Sequence, residues 1–184
     1  MVVLATLSQL VPFSELSPGQ AGSIRNEIIK KVVAEAVART KLAETQIVVR
    51  DIRAKDDLTL YSGGSAAGLE DWGALTDATA NVYGTMATGI MADQRWMAFY
   101  GVKADKDAFA CTAIRFTVGG SERVIWQLQA LAEEDGFVGY CPAGVIIPPN
   151  TPYTIERFNR EVTSSVKLVL KGVVVEPRGK VLSP

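Results

Sequence analysis

The chain has 184 residues, of which 48% are hydrophobic and 21% charged, with a formal net charge of -1. This is the composition of a globular chain with one substantial core, and not of a disordered segment or a general nucleic-acid binder. Histidine is absent, which excludes every His-dependent triad or dyad and the common His-containing zinc sites. The two cysteines, Cys111 and Cys141, cannot supply a four-thiolate site or a disulfide framework, and both are expected as buried free thiols.

Residues 1–184 read as a single domain. The apolar start, MVVLATLSQLVPF, lacks a basic n-region and is broken by Thr6, Ser8 and Gln9, so it is a poor signal peptide and too short to span a bilayer. It is expected as an arm or first strand over 1–16, packed on its own core or on a neighbouring subunit. A helix is expected over 17–45, with its body from Pro18 to Lys41. Ser17 at the N-cap, Pro18 at N1 and Gln20 at N3 form a capping box. Ile24, Ile28, Val32, Ala36 and Ala43 then recur as an apolar stripe, and Glu27–Lys31 and Glu35–Arg39 are i,i+4 pairs in the favourable order.

The run from Gln46 to Arg53 reads as a strand, with Ile47 and Val49 on one face and Val48 and Ile52 on the other. Asp56-Asp57 reads as a solvated turn and Leu58 to Tyr61 as a short returning strand. Asp51, Asp56 and Asp57 lie close together, but without calcium-loop spacing. Residues 62–94 are glycine-rich, acidic and free of Lys and Arg, and read as a long loop or insertion. Trp72 and Tyr83 inside it are aromatic anchors or core plugs. Ser62-Gly63-Gly64-Ser65 lacks the sequence that completes a phosphate-binding loop.

The main β block spans 95–176. RWMAFYG puts Trp96, Ala98 and Tyr100 on one face and Met97 and Phe99 on the other; apolar on both sides, it reads as a central strand covered by a further element. In FACTAIRFTV, Thr112, Ile114, Phe116 and Val118 share a face, and in RVIWQLQAL so do Val124, Trp126, Leu128 and Ala130. Gly119-Gly120 between them signals a hairpin. In GVIIPPNTPYTIERF, the prolines at 148, 149 and 152 fix a crossing between strands or guard an edge. In SVKLVLKGVVVE, Val166, Leu168 and Leu170 oppose Lys167 and Lys171, and Gly172 marks a bulge or a close approach. The fold expected is mainly β: an antiparallel β-sandwich or jelly-roll barrel with an N-terminal amphipathic helix and a long Gly-rich loop.

Little here carries chemistry. Glu133-Glu134-Asp135-Gly136 and Glu70-Asp71 are acidic clusters on loops, without the facing geometry that glycoside hydrolysis needs. Residues 157–180 hold six Lys or Arg against two Glu, a local excess that could face an acidic surface but reads first as a solvated strand face. No catalytic, cofactor-binding or metal-binding residue is assigned, no cofactor is expected, and no enzyme activity is expected.

Residues 144–147, 153–158 and 166–176 together resemble the last strands of the single β-barrel, jelly-roll capsid proteins of tailless, internal-membrane-containing icosahedral viruses. The likeness is one of layout. It implies a self-assembling structural subunit of a virion: a homo-oligomer meeting other capsid proteins and an internal viral membrane through its arm, helix and loop, with no specific nucleic acid. Two other readings stand beside it. One is a carbohydrate- or protein-binding β-sandwich module with an exposed aromatic row including Trp126. The other is a carboxylate-dependent enzyme in which Glu156 and Asp51 converge.

Overall fold

The computed structural model describes residues 5–17, 19–63, 72–73, 75–77, 79–104, 111–131 and 137–180. In chain order these form β1 (Ala5–Gln9), β2 (Val11–Pro12), α1 (Gln20–Thr40), β3 (Ile47–Asp51), the four-residue α2 (Ala54–Asp57), β4 (Leu75–Asp77), β5 (Val82–Ile90), β6 (Trp96–Ala104), β7 (Cys111–Val118), β8 (Glu122–Gln127), β9 (Val138–Ile147), β10 (Pro152–Asn159), β11 (Thr163–Val166) and β12 (Leu168–Pro177). Two five-stranded sheets result. The front sheet has the order β1-β8-β7-β10-β5 and the back sheet β2-β9-β6-β12-β3, with a small β11-β4 ladder beside them. Every pairing is antiparallel except that of β1 with β8.

Three layers follow from the period-two patterns. Ile114, Phe116, Trp126 and Ile155 of the front sheet meet Met97, Phe99, Ile147, Leu168 and Val174 of the back sheet in one core. The opposite face of the back sheet holds Trp96, Ala98, Tyr100, Val173 and Val175, which pack against Ile28, Val32, Val33 and Ala36 of α1. The two-sided apolarity of β6 is thus explained: one face lines the sandwich and the other seats the helix. Burial of Ile28 and Val32 contributes roughly 1.5–3 kcal/mol each.

Several local expectations hold. Gly119 and Gly120 turn the β7–β8 hairpin with φ of 64° and 77°. The ladder bulges at Lys171/Gly172, and a Cβ on Gly172 would lie 2.6 Å from the Ala98 carbonyl oxygen. Cys111 and Cys141 are buried and free. The stretch 148–151 is a short link from β9 in the back sheet to β10 in the front sheet. The arm folds back on its own chain, β1 on the front sheet and β2 on the back, with Leu10 fully buried between them.

Others are corrected. The helix begins at Gln20, behind Gly19 in a left-handed conformation, because the Gln20 side chain accepts from the Ser17 N–H and its own N–H donates to the Ser17 carbonyl. It ends when Lys41 turns left-handed, so Ala43 lies beyond it. Glu35 pairs with Arg39 at 3.1 Å, whereas Glu27 takes Lys30 instead of Lys31. The expected loop over 62–94 contains β4 and the nine-residue β5. Residues 58–61 form no strand; instead Thr59 and Ser62 hydrogen-bond along the outer edge of β5, Thr88 N–H to Thr59 O and Ser62 N–H to Met86 O. That cover blunts an edge open to unwanted pairing. Thr112 leaves the face of Ile114 because the β7–β10 ladder slips at Phe158/Asn159 and reverses the alternation. Pro18, Gly64, Ser65, Glu70-Asp71 and Glu133–Gly136 lie outside the described residues.

The barrel alternative is overturned. The two sheets are open and packed face to face, and among the described residues no ladder joins an edge of one to an edge of the other. Closing a barrel requires continuous pairing around its circumference. Here one back-sheet edge is the two-residue β2, whose Pro12 has no N–H to donate.

Tyr61 gives the fold an alkaline signature. Its ring packs edge-on against Trp72 at 5.7 Å and its hydroxyl donates to the Gly73 carbonyl at 3.0 Å. Burial, opposed by the charge of Arg157, pushes its pKa up to about 12 from 10.0. A raised folded-state pKa means stability present below pH 10 and lost as pH rises through about 12. Alkaline unfolding followed by phenolate absorbance is expected to show a late-ionising tyrosine that Tyr61→Phe removes.

Candidate functional site

The outer face of the back sheet is partly covered by α1, whereas no described helix covers the outer face of the front sheet. Register builds that face in rows. Tyr83 of β5 lies across from Phe158 of β10, then Ala113 of β7 and Gln127 of β8. The next row is Thr85, Glu156, Arg115 and Ile125, and beyond it Thr88, Thr154 and Thr117.

The side chains interlock. The Tyr83 and Phe158 rings meet edge-to-face at 5.1 Å. The Arg115 guanidinium sits 3.7 Å from the Tyr83 ring centroid, and its Nε donates to Glu156 Oε2 at 2.7 Å. That hydrogen bond holds the Arg115 pKa above its ordinary value. Thr88 and Thr154 hydroxyls are 3.2 Å apart. Beside the aromatic pair is a shallow concavity of about 250 Å³, lined also by Thr112, Ile125, Gln127 and Gln129. Its lining carries donors and acceptors but no charge. Such a face can bind through apolar contact and hydrogen bonds; Glu156, its one carboxylate among the described side chains, is committed to Arg115.

Among the described residues the other acidic candidates, Asp51, Asp56 and Asp57, form no facing pair with Glu156. Asp51 ends β3 in the back sheet, 77% exposed at its side chain and 3.4 Å from Arg25, while Glu156 is on the front sheet. The sequence pairing of these two is therefore not realised. Asp56 pairs with Arg53 at 3.9 Å. Asp57 is no solvated turn residue: its side chain is fully buried and takes two hydrogen bonds from Arg50, at 2.7 and 2.6 Å, and one from the Arg53 N–H. The buried Glu176 accepts from Arg50 Nε at 3.0 Å and Arg95 Nε at 2.7 Å. Two acids and two arginines neutralise one another there, a structural lock. Hydrogen bonding to Asp57 pushes the Arg50 pKa well above its ordinary value.

The aromatic expectation moves to other residues. Trp126 is fully buried against Phe116, at 4.7 Å, and Trp72 is in the core, so neither belongs to an exposed row. The aromatics of the outer face are instead the half-buried pair Tyr83 and Phe158. The basic stretch 157–180 disperses: Arg157 is buried and donates to Asn159, and Lys180 bonds Asp93. No described helix is long and apolar enough to cross a membrane.

No known protein-family model matches the chain, and no curated protein matches it. With the sheets open, this overturns the resemblance to jelly-roll capsid proteins, together with the capsid, virion and barrel descriptions drawn from it. The layout behind the resemblance is shared by many unrelated sandwiches and identifies no family.

Proposed function

We propose that the chain is a non-catalytic β-sandwich binding module that engages protein through the outer face of its front sheet, in the first place a further copy of itself. The observation that carries the reading is the uncovered sheet face centred on Tyr83, Phe158 and Arg115. Tyrosine and arginine held rigid by neighbours are the residues that anchor protein interfaces, because they present large area at little entropic cost. The Arg115–Glu156 pair is internally compensated, so two copies meet there without like-charge repulsion, and a two-fold axis would bring the same patch to both sides.

Sedimentation velocity over a concentration series tests this. The wild type is expected to self-associate, and Tyr83→Ala with Phe158→Ala to weaken association by at least about 30-fold, on the order of two anchors at 1 kcal/mol or more each. A wild type that stays monomeric at high concentration counts against it. The uncharged lining of the concavity favours a second reading, a neutral carbohydrate with its apolar ring face on Phe158 and its hydroxyls on Gln127 and Gln129. A monomer whose Gln127 and Gln129 amide resonances shift with neutral oligosaccharides supports that reading instead.

A further inference from the structure

The part of the back sheet's outer face beyond α1 carries a second surface. Register places Val138 of β9, Lys103 of β6 and Val169 of β12 in one row, and Tyr140, Gly101 and Lys171 in the next. Phe13, 56% exposed, lies 6.2 Å from the Tyr140 ring, which stacks on Tyr100 at 12° and 6.4 Å. Lys171 Nζ sits 5.5 Å from the Tyr140 ring centroid. Lys103 is exposed, and neither lysine has an ion pair among the described residues. Arg25 at the margin is already bonded to Asp51. The strand rows of this patch therefore present cations set between apolar and aromatic side chains.

We propose that this patch is a docking surface for an acidic, apolar segment of a partner protein. Charge complementarity selects carboxylates for Lys103 and Lys171, while Phe13, Tyr140 and Val138 supply area that only an apolar residue between those carboxylates would use. Two lysines, an apolar margin and an overall net charge of -1 make a poor match to a phosphate backbone, whose binding grows with the number of phosphates neutralised. The surface is independent of the front-sheet face, being on the opposite side of the sandwich.

The test is NMR titration of the full chain with a synthetic peptide alternating Glu and Leu, a Gln/Leu peptide of the same length, and a single-stranded oligonucleotide. The Glu/Leu peptide is expected to shift the resonances of Phe13, Lys103, Tyr140 and Lys171, more weakly as salt rises. Lys103→Gln with Lys171→Gln is expected to weaken binding by about five-fold or more, since exposed ion pairs each contribute a modest amount, with the unfolding temperature unchanged. Phe13→Ser should weaken it through lost contact area alone. Equal binding of the Gln/Leu peptide, tighter binding of the oligonucleotide, shifts confined to the front sheet, or no binding overturns the proposal.

Discussion

Asp57→Ala is expected to destabilise the fold by about 3–5 kcal/mol, because it removes one partner from a buried network and leaves the other charges uncompensated. Asp57 and Glu176 side chains are fully buried, and those of Arg50 and Arg95 are only 18% and 12% exposed. Removing Asp57 takes both carboxylate oxygens from the Arg50 guanidinium, which keeps only Glu176 as an acidic partner, and strands the N–H of Arg53. For a chain of this length the unfolding temperature should fall by roughly 6–20 °C. Glu176→Ala should cost a similar amount, since it strips Arg50 and Arg95 of a shared acceptor. Glu156→Ala, whose pair with Arg115 is part-buried but outside this network, should cost less, about 1–2 kcal/mol. Urea unfolding of the three variants checks the order. A loss below 1 kcal/mol for Asp57→Ala would show that water reaches the network.

The second large effect is expected at Gly172. A Cβ there would meet Ile52 Cδ1 within van der Waals distance and lie 2.6 Å from the Ala98 carbonyl oxygen, on the neighbouring strand β6. The side-chain contact can yield, but the carbonyl is held by the ladder, so Gly172→Ala must push β12 from β6 at the bulge. Overpacking of this kind costs about 2–3 kcal/mol. Gly22 provides the opposite sign. It lies in α1 with nothing within 4 Å of an added Cβ, and Gly22→Ala should stabilise by about 0.5–1 kcal/mol. Thermal unfolding of both variants is a direct comparison, and equal effects of the two would contradict the close approach of β12 to β6.

Gly172 was legible in the sequence as a bulge because the alternation of Lys167, Leu168, Leu170 and Lys171 changes character just there. The helix-covered sheet was legible too, since Trp96 to Tyr100 is apolar on both faces and the stripe from Ile24 to Ala36 is long enough to supply the cover. β5 was not. Its ladder with β10 slips at Ile155/Glu156, so Met86 and Ala87 are both buried in succession, and the resulting pattern has no period of two. Two glycines and two exposed ends, Val82 and Ile90, weaken the signal further.

The candidate site was hidden for a related reason. Tyr83 was visible only as an aromatic residue in a supposed loop, and Phe158 as the end of a strand; only the register of β5 on β10 makes them neighbours. Trp126 is large and sits in an alternating strand, but alternation alone does not say which face is wet. Its neighbours Gln127 and Gln129 carried the answer, since it is Gln127 that reaches the outer face. Asp57 was misread because its adjacency to Asp56 looks like a turn, while three of the four groups that hold it or share its network, Arg50, Arg95 and Glu176, come from β3, the β5–β6 turn and β12.

Self-association is proposed at the front-sheet face, with another copy of the chain as first partner. Comparison of NMR spectra of dilute and concentrated protein tests it most directly. Concentration-dependent shifts are expected to cluster at Tyr83, Arg115, Ile125, Gln127 and Phe158 and to vanish in the Tyr83→Ala, Phe158→Ala variant. Spectra that do not change with concentration, or shifts confined to α1 and the back sheet, would contradict it.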